Sequence, residues 1–507
     1  MIDRRQFLGR GLAAGLAGLT AGPLASRLAA AETDADWSGA FKSALARDPR
    51  LLGWRNAGAE ALDCAALELR GRLPAALEGT FYRNGPALHE RFGQRYRHWF
   101  EGDGMLQAFR IGDGRIAHRG RVLRTPKLAR EDAAGRRLYH GFYTRISDPE
   151  PIRRPDDINV ANISVLDHNG DLMALWEGGS ASRVDRESLQ WTGFKSWGEG
   201  LAGLPFTAHP KVEPDGTLWA FGYVIAPKPV LVLYHIGADG GLRKATPVAL
   251  DAIGMVHDFV VTGRHLVIVH SPYVIDRQQR PDATFLSSHV WKPERGTRVL
   301  IVSKDDFEDR RWAQLPAGFG FHHGNGWEEA DGTIRFDHCV ARAPDLVHDT
   351  LSSVMRGELK PATPERYSQF TIRPDGRTDV METDQDAEFP RIAPSRVGSR
   401  NRFVYMLGAG PELGWGFNRL IKRDVDSGAQ QVFDYGPGIL AEEHIFVPHP
   451  DARSEDHGWL LGTFLNYGTG VTGLSVFDAR APQDGPLARG LLPYPLPLGF
   501  HGQFSAA

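Results

Sequence analysis

The sequence predicts an all-β protein, and within that class a β-propeller, on three observations. Short runs rich in β-formers recur over more than 400 residues, each bounded by Gly, Asp or Pro clusters that read as turns. Glycine, 58 of 507 residues, makes up about 11% of the chain against a usual ~7%, which supplies turns and works against long helices. Amphipathic helices are few, Trp37 to Ala46 being the best candidate. Strand pairs repeating every few tens of residues fit radially arranged antiparallel sheets. No WD or kelch signature marks the repeat, and a long β-sandwich array is the competing architecture.

The chain opens with an address label over residues 1–31. Asp3-Arg4-Arg5-Gln6-Phe7-Leu8 leads into an apolar run from Gly11 to Ala25, and Ala29-Ala30-Ala31 offers a small-residue cleavage site. Paired arginines before Phe-Leu resemble a bacterial twin-arginine export signal, which implies a periplasmic destination. A short N-terminal membrane anchor is the alternative, although Pro23 and several glycines interrupt a run already short of the ~20 residues a span requires. Residues 32–66 form an N-terminal extension. Residues 67–507 read as one propeller domain, with no Ser/Pro-rich linker to divide it. Removal of residues 1–31 shifts the formal charge from −3 to −6. A mildly acidic chain without a Lys/Arg-rich run argues against nucleic acid as a partner.

Within the domain, the strands are expected at Leu172 to Trp176, Thr217 to Val224, Leu231 to Ile236, His265 to His270, Val299 to Val302, Thr333 to Asp337, Tyr367 to Ile372, Arg402 to Met406 and Trp459 to Phe464. Pro214-Asp215-Gly216, Asp239-Gly240-Gly241 and Pro374-Asp375-Gly376 are the clearest turns between them.

Composition narrows the chemistry. Hydrophobic content of 42% and charged content of 24% exclude a disordered or fibrous chain. Two cysteines, Cys64 and Cys339, exclude a disulfide scaffold, a Cys-based zinc site and a Cys-ligated iron–sulfur cluster. A metal must therefore be held by His, Asp or Glu. Gly-rich nucleotide loops, a Gly-x-Ser-x-Gly elbow and a His-Glu-x-x-His pair are all absent. Among 19 histidines, four stand at the end of an apolar run or beside a turn residue, where a propeller strand meets its axis. They are His209, His257, His322 and His501. Their spacings of 48, 65 and 179 residues form no local metal motif, so spacing alone does not select them.

Several separated motifs, in order from about Leu67 to Phe504, resemble the carotenoid cleavage oxygenase family. Gly79-Thr80-Phe81-Tyr82-Arg83-Asn84-Gly85-Pro86 and His98-Trp99-Phe100-Glu101-Gly102-Asp103-Gly104-Met105 look like its N-terminal signature. Ala208-His209-Pro210-Lys211, Val256-His257-Asp258-Phe259, Phe321-His322-x-x-Asn325 and Phe500-His501-Gly502 resemble its four iron-ligand motifs, and Glu388-Phe389-Pro390-Arg391-Ile392 is similar too. The resemblance implies a seven-bladed propeller with Fe(2+) on its axis, ligated by His209, His257, His322 and His501. His323 adjoins His322, but the family spacing places the ligand three residues before Asn325. Glu177, Glu388 and Glu443 match the supporting carboxylates, with Glu442 beside Glu443 and His444 replacing a proline usual in the family.

The implied reaction is oxidative cleavage of a C=C bond by dioxygen to two carbonyl products, with no side chain required as general acid or base. A carotenoid or apocarotenoid is the expected substrate. The alternatives are a phenolic stilbene and, from a different class, a non-catalytic propeller that binds a lipophilic ligand. Phe100, Tyr143 and Trp176 are the expected pocket residues. Trp176 stands where stilbene-cleaving relatives carry a lysine; Lys127 is read as a replacement cation or a solvated surface lysine. A lipophilic substrate implies peripheral membrane contact, for which Gly200 to Phe206 is the candidate apolar loop, rim packing being its other reading.

Overall fold

The computed structural model describes residues 36–225, 228–276 and 283–507; residues 1–31, read above as an export signal, lie outside them. Seven antiparallel sheets of four or five strands make up the bulk of the chain, with two small two-stranded ribbons beside them. Numbered in chain order as blades, they run from the Gly79–Leu88 sheet (blade 1) to the Ile439–Pro448 sheet (blade 7). The expected strand at His265–His270 has those bounds, and Leu218–Val224, Arg366–Ile372 and Gly458–Asn466 differ by one or two residues at their ends.

Both chain ends close the ring. Glu68–Gly71 pairs with Ala488–Leu491 in blade 7, while His501–Ala506 pairs with Gly79–Leu88 in blade 1. Ala61–Cys64 pairs with Arg115–Val122 in blade 1, so the propeller starts inside the segment read as an extension. The rest of that segment, Trp37–Leu45 and Pro49–Trp54, packs through Phe41, Leu51 and Trp54 against Val354, Met355 and Leu498.

The core is divided among the blade junctions rather than gathered at one centre. Phe221 of blade 3 meets Phe259 and Leu300 of blade 4, Tyr367 of blade 5 meets Val404 and Met406 of blade 6, and Phe81 and Phe109 of blade 1 meet Leu461 and Leu474 of blade 7. Each middle strand is buried on both faces, as in Leu218–Val224, whereas outer strands such as Leu242–Ala249 alternate toward solvent. The turns follow their chemistry: at Pro214-Asp215-Gly216 the Asp215 carboxylate accepts from Thr217 N–H at 2.8 Å, and Gly216 takes φ +87°.

The N-terminal signature motifs lock blade to blade. Asn84 donates to the carbonyls of Ala161 and Ser164 on the blade 2 side, and Arg83 pairs with Glu442 of blade 7 at 3.0 Å. Glu101 accepts from the N–H groups of Arg97, His98, Tyr143 and Thr144. Gly104 approaches Ala161 so closely that a Cβ would lie 2.3 Å from its carbonyl oxygen.

Candidate metal centre

Seven axial positions converge, one from each blade, and they are filled by four histidines and three glutamates. His209 and His257 lie just before the innermost strands of blades 3 and 4, Lys211–Val212 and Val260–Val261, and His322 lies just before Gly326–Glu328 of blade 5. His501 opens the C-terminal strand that completes blade 1. Glu177 follows Asp171–Leu175 of blade 2, Glu388 begins Glu388–Arg391 of blade 6, and Glu443 lies in Ile439–Pro448 of blade 7. The pairings of the last two strands are interrupted by bulges beside these glutamates, which is how a strand re-aims a side chain.

The four imidazoles are buried or nearly so, and one ligand atom from each lies within 4.8 Å of the other three. The Nε2 atoms of His209 and His257 are 2.8 Å apart, and those of His322 and His501 are 3.2 Å apart. Nitrogens each ~2.1 Å from one metal ion and at right angles would lie ~3.0 Å apart, so these separations suit a shared ion. The Nδ1 atoms face carboxylates: Glu177 lies 2.5 Å from His257, Glu388 2.5 Å from His322 and Glu443 2.8 Å from His501. A carboxylate on Nδ1–H fixes the tautomer that leaves Nε2 as a lone-pair donor. His209 has no such carboxylate among the described residues; its backbone N–H donates to Thr207 Oγ1 at 3.0 Å.

Electrostatics favour the neutral donor form at His209 and His501. Burial, reinforced by the neighbouring histidines, holds His209 well below the ordinary imidazole pKa, and burial takes His501 down to about 3 despite Glu443. Burial also opposes protonation of His257, but the charge and hydrogen bond of Glu177 leave its pKa raised. Glu443 is held ionised against its own burial by Arg391 and His501, and its second oxygen accepts from Gly502 N–H at 2.8 Å.

The histidine cluster opens onto a cavity of about 410 Å³ whose exposed lining is predominantly apolar. Phe100, Phe321, Phe389, Trp415 and Phe500 form much of its wall. Phe100 contacts Phe321 and Phe500 edge-on at 5.7 and 5.4 Å between centroids, and Phe389 stacks on His322 at 5.1 Å. Phe389 takes φ +54°, an uncommon state for a bulky residue, and its N–H donates to Glu388.

The structure resolves adjacent candidates that sequence leaves side by side. The His323 ring stacks on His338 at 4.0 Å and stands apart from the four-histidine group. Glu442 turns to Arg83 and Gly499 N–H, leaving Glu443 for His501. Of the expected pocket residues, Phe100 lines the cavity and the other two do not. Tyr143 packs behind Phe100 with Phe142, and Trp176 lies at the edge of the core between blades 2 and 3 with its ring against Gly178. Lys127 is neither a surface lysine nor a pocket cation: it is buried on Asp103, Glu131 and Tyr96. Leu201 and Phe206 of the candidate membrane loop are buried beside Trp197, so their apolar surface is spent on the core. Phe321, Phe389 and Phe500 were not expected on the cavity wall, although each directly adjoins a His or Glu of the centre.

A family model described as retinal pigment epithelial membrane protein (RPE65) matches residues 55–506. The chain belongs to the RPE65/carotenoid cleavage oxygenase family. Within it, the chain is 28% identical over 460 residues to the apocarotenoid-15,15'-oxygenase of Synechocystis, covering 86% of this chain and 92% of that one. It is 29% identical over 484 residues to resveratrol cleavage oxygenase 1 of Aspergillus fumigatus, with coverage of 87% and 92%. Cobalt-substituted Synechocystis ACO superposes with a TM-score of 0.83 at 26% identity, over 91% of this chain and 99% of that one.

Proposed function

We propose that this family member is a non-haem Fe(2+) dioxygenase that cleaves one C=C bond of a carotenoid or apocarotenoid to two carbonyl products. The observation that carries the reading is a four-imidazole donor set opening onto an aromatic-walled cavity. Four neutral nitrogen donors suit iron as well as zinc, copper or nickel; iron is chosen on the family resemblance. His209, His257, His322 and His501 would hold the ion, which when bound supplies the dioxygen chemistry. The protein's own part is positional. Glu177, Glu388 and Glu443 orient three of the rings, and the phenylalanine wall excludes water and aligns one double bond of an extended apolar substrate beside them. No acid or base on the wall is required for a reaction that adds both atoms of dioxygen across an alkene.

Relatives named for apocarotenoid and carotenoid cleavage support the polyene, and the relative named for resveratrol cleavage keeps a stilbene as the alternative. Incubation of the iron-loaded protein under air with an apocarotenal and, separately, with 4-hydroxystilbene decides between them by the aldehydes formed. Products from the stilbene alone overturn the polyene assignment. Ligand binding without oxygen consumption, unaffected by His501→Ala, would identify a binding propeller instead.

We further propose export to the periplasm through residues 1–31, on the strength of Arg4-Arg5 and the small-residue site at Ala29-Ala30-Ala31. Replacing Arg4 and Arg5 together by lysine is expected to hold the protein in the cytoplasmic fraction; unchanged fractionation overturns this.

A further inference from the structure

One wall of the cavity carries a polar group that the metal centre does not use. Glu365 immediately precedes strand Arg366–Ile372 of blade 5, and its carbonyl accepts from Ala387 N–H at 2.9 Å, which sets it beside Glu388. Its side chain lines the cavity together with Thr363 and Glu388. Although it is only 9% exposed, its Oε1 has no hydrogen-bond partner among the described residues. No ion pair engages the carboxyl among the described residues. Asp345 Oδ1 and Glu388 Oε1 are likewise buried without donors, while the other Asp345 oxygen accepts from Thr363 N–H. An apolar cavity thus keeps an unpaired carboxyl in its wall. Leaving such a group unsatisfied is costly, so its retention calls for an explanation.

We propose that Glu365 is a specificity-determining residue that receives a hydroxyl group of the substrate. The inference rests on the cavity being the substrate site. A hydroxyl is the group that suits the carboxyl in either protonation state: it donates to the carboxylate and accepts from the acid. A carbonyl oxygen satisfies the acid only, and a hydrocarbon end satisfies neither. Burial, with the charges of Glu388 and Asp345, pushes the Glu365 pKa up, and the hydroxyl remains matched after that shift. The substrate class is thereby narrowed to a hydroxylated polyene or stilbene, with its hydroxyl on the blade 5 side of the cavity.

The test is binding to the iron-loaded full chain without oxygen, followed by quenching of tryptophan fluorescence. Two ligand pairs are compared: 4-hydroxystilbene with stilbene, and an apocarotenal bearing a ring hydroxyl with its ring-deoxy analogue. In at least one pair the hydroxyl is expected to tighten Kd about tenfold, the worth of one buried hydrogen bond to an ionisable group. That ratio should fall to about one in Glu365→Met and be largely kept in Glu365→Gln, whose amide both donates and accepts. A wild-type ratio near one in both pairs overturns the proposal, as does a ratio unchanged in Glu365→Met. Should the Met variant fail to fold, Glu365→Ala answers the same question. Cleavage is scored separately: a hydroxyl preference lost in Glu365→Met without any cleavage by wild type would refute the dioxygenase reading and leave this one standing.

Discussion

Among the described residues, three of the four histidines at the axis are backed by a glutamate and the fourth, His209, is not. The difference follows from the blade count. Seven blades offer seven axial positions; four are taken by imidazoles, and the remaining three, on blades 2, 6 and 7, carry Glu177, Glu388 and Glu443. No blade is left to back His209, whose backbone is instead fixed through Thr207 and by Pro210 after it. Ring orientation is thus set in two ways: by an outer carboxylate for three imidazoles, and by main-chain restraint for one. The predictions below test that asymmetry.

The largest effect is expected where ligand and fold coincide. His501 rides on the strand that closes blade 1, so deleting residues 501–507 removes a donor and the pairing with Gly79–Leu88 together. Loss of bound iron and of cooperative thermal unfolding is expected, read by metal analysis and calorimetry. His501→Ala should separate the two, keeping the unfolding transition while lowering activity beyond the ~100-fold that bounds most outer-shell changes. Retained iron and activity in His501→Ala would remove it from the donor set.

Next come the carboxylates. Glu177→Gln, Glu388→Gln and Glu443→Gln should each cost ~10–100-fold in iron affinity, measured by competition with a chelator. Glu443 should lie at the upper end because it also holds Arg391 at 2.8 Å and Gly502 N–H. If all three variants keep wild-type affinity, the carboxylates are not what orients the rings, and the contrast with His209 is empty.

How much of this was legible beforehand depended on the range of the determining interaction. Strands such as His265–His270 were readable because turn chemistry and β-forming side chains are local. The four histidines emerged from ordered motifs that span the chain, since their spacings carry no signal. Glu442 and Glu443 were inseparable in sequence because a bulge decides which of them faces the axis. Lys127 sits in the charged helix Pro126–Ala134 and reads as a surface residue; only Glu131, four residues on, hints at its buried partners, while Asp103 and Tyr96 are more than 20 residues away. Alignment with the tyrosine and lysine of stilbene-cleaving relatives puts Tyr143 and Trp176 at the pocket, yet which side of a wall a ring occupies is set by packing across blades. The same limit hid Phe389, whose positive φ turns its ring over His322.

The smallest effect is expected at His209, and it is the one that best tests the asymmetry. Thr207 is almost wholly buried, and its Oγ1 accepts the His209 backbone N–H. Thr207→Ala leaves that donor unpaired, at a cost of ~1–3 kcal/mol in stability by the usual penalty for a buried unsatisfied group. Ring orientation should change little, because Pro210 and the enclosing imidazoles of His257 and His501, whose centroids lie 4.5 and 4.4 Å from that of His209, still confine it. Iron affinity is therefore expected within a few-fold of wild type while the denaturation midpoint falls. Should Thr207→Ala instead lower iron affinity as far as Glu443→Gln does, the fourth histidine depends on a hydroxyl as strongly as the others do on carboxylates, and the two modes of support become one.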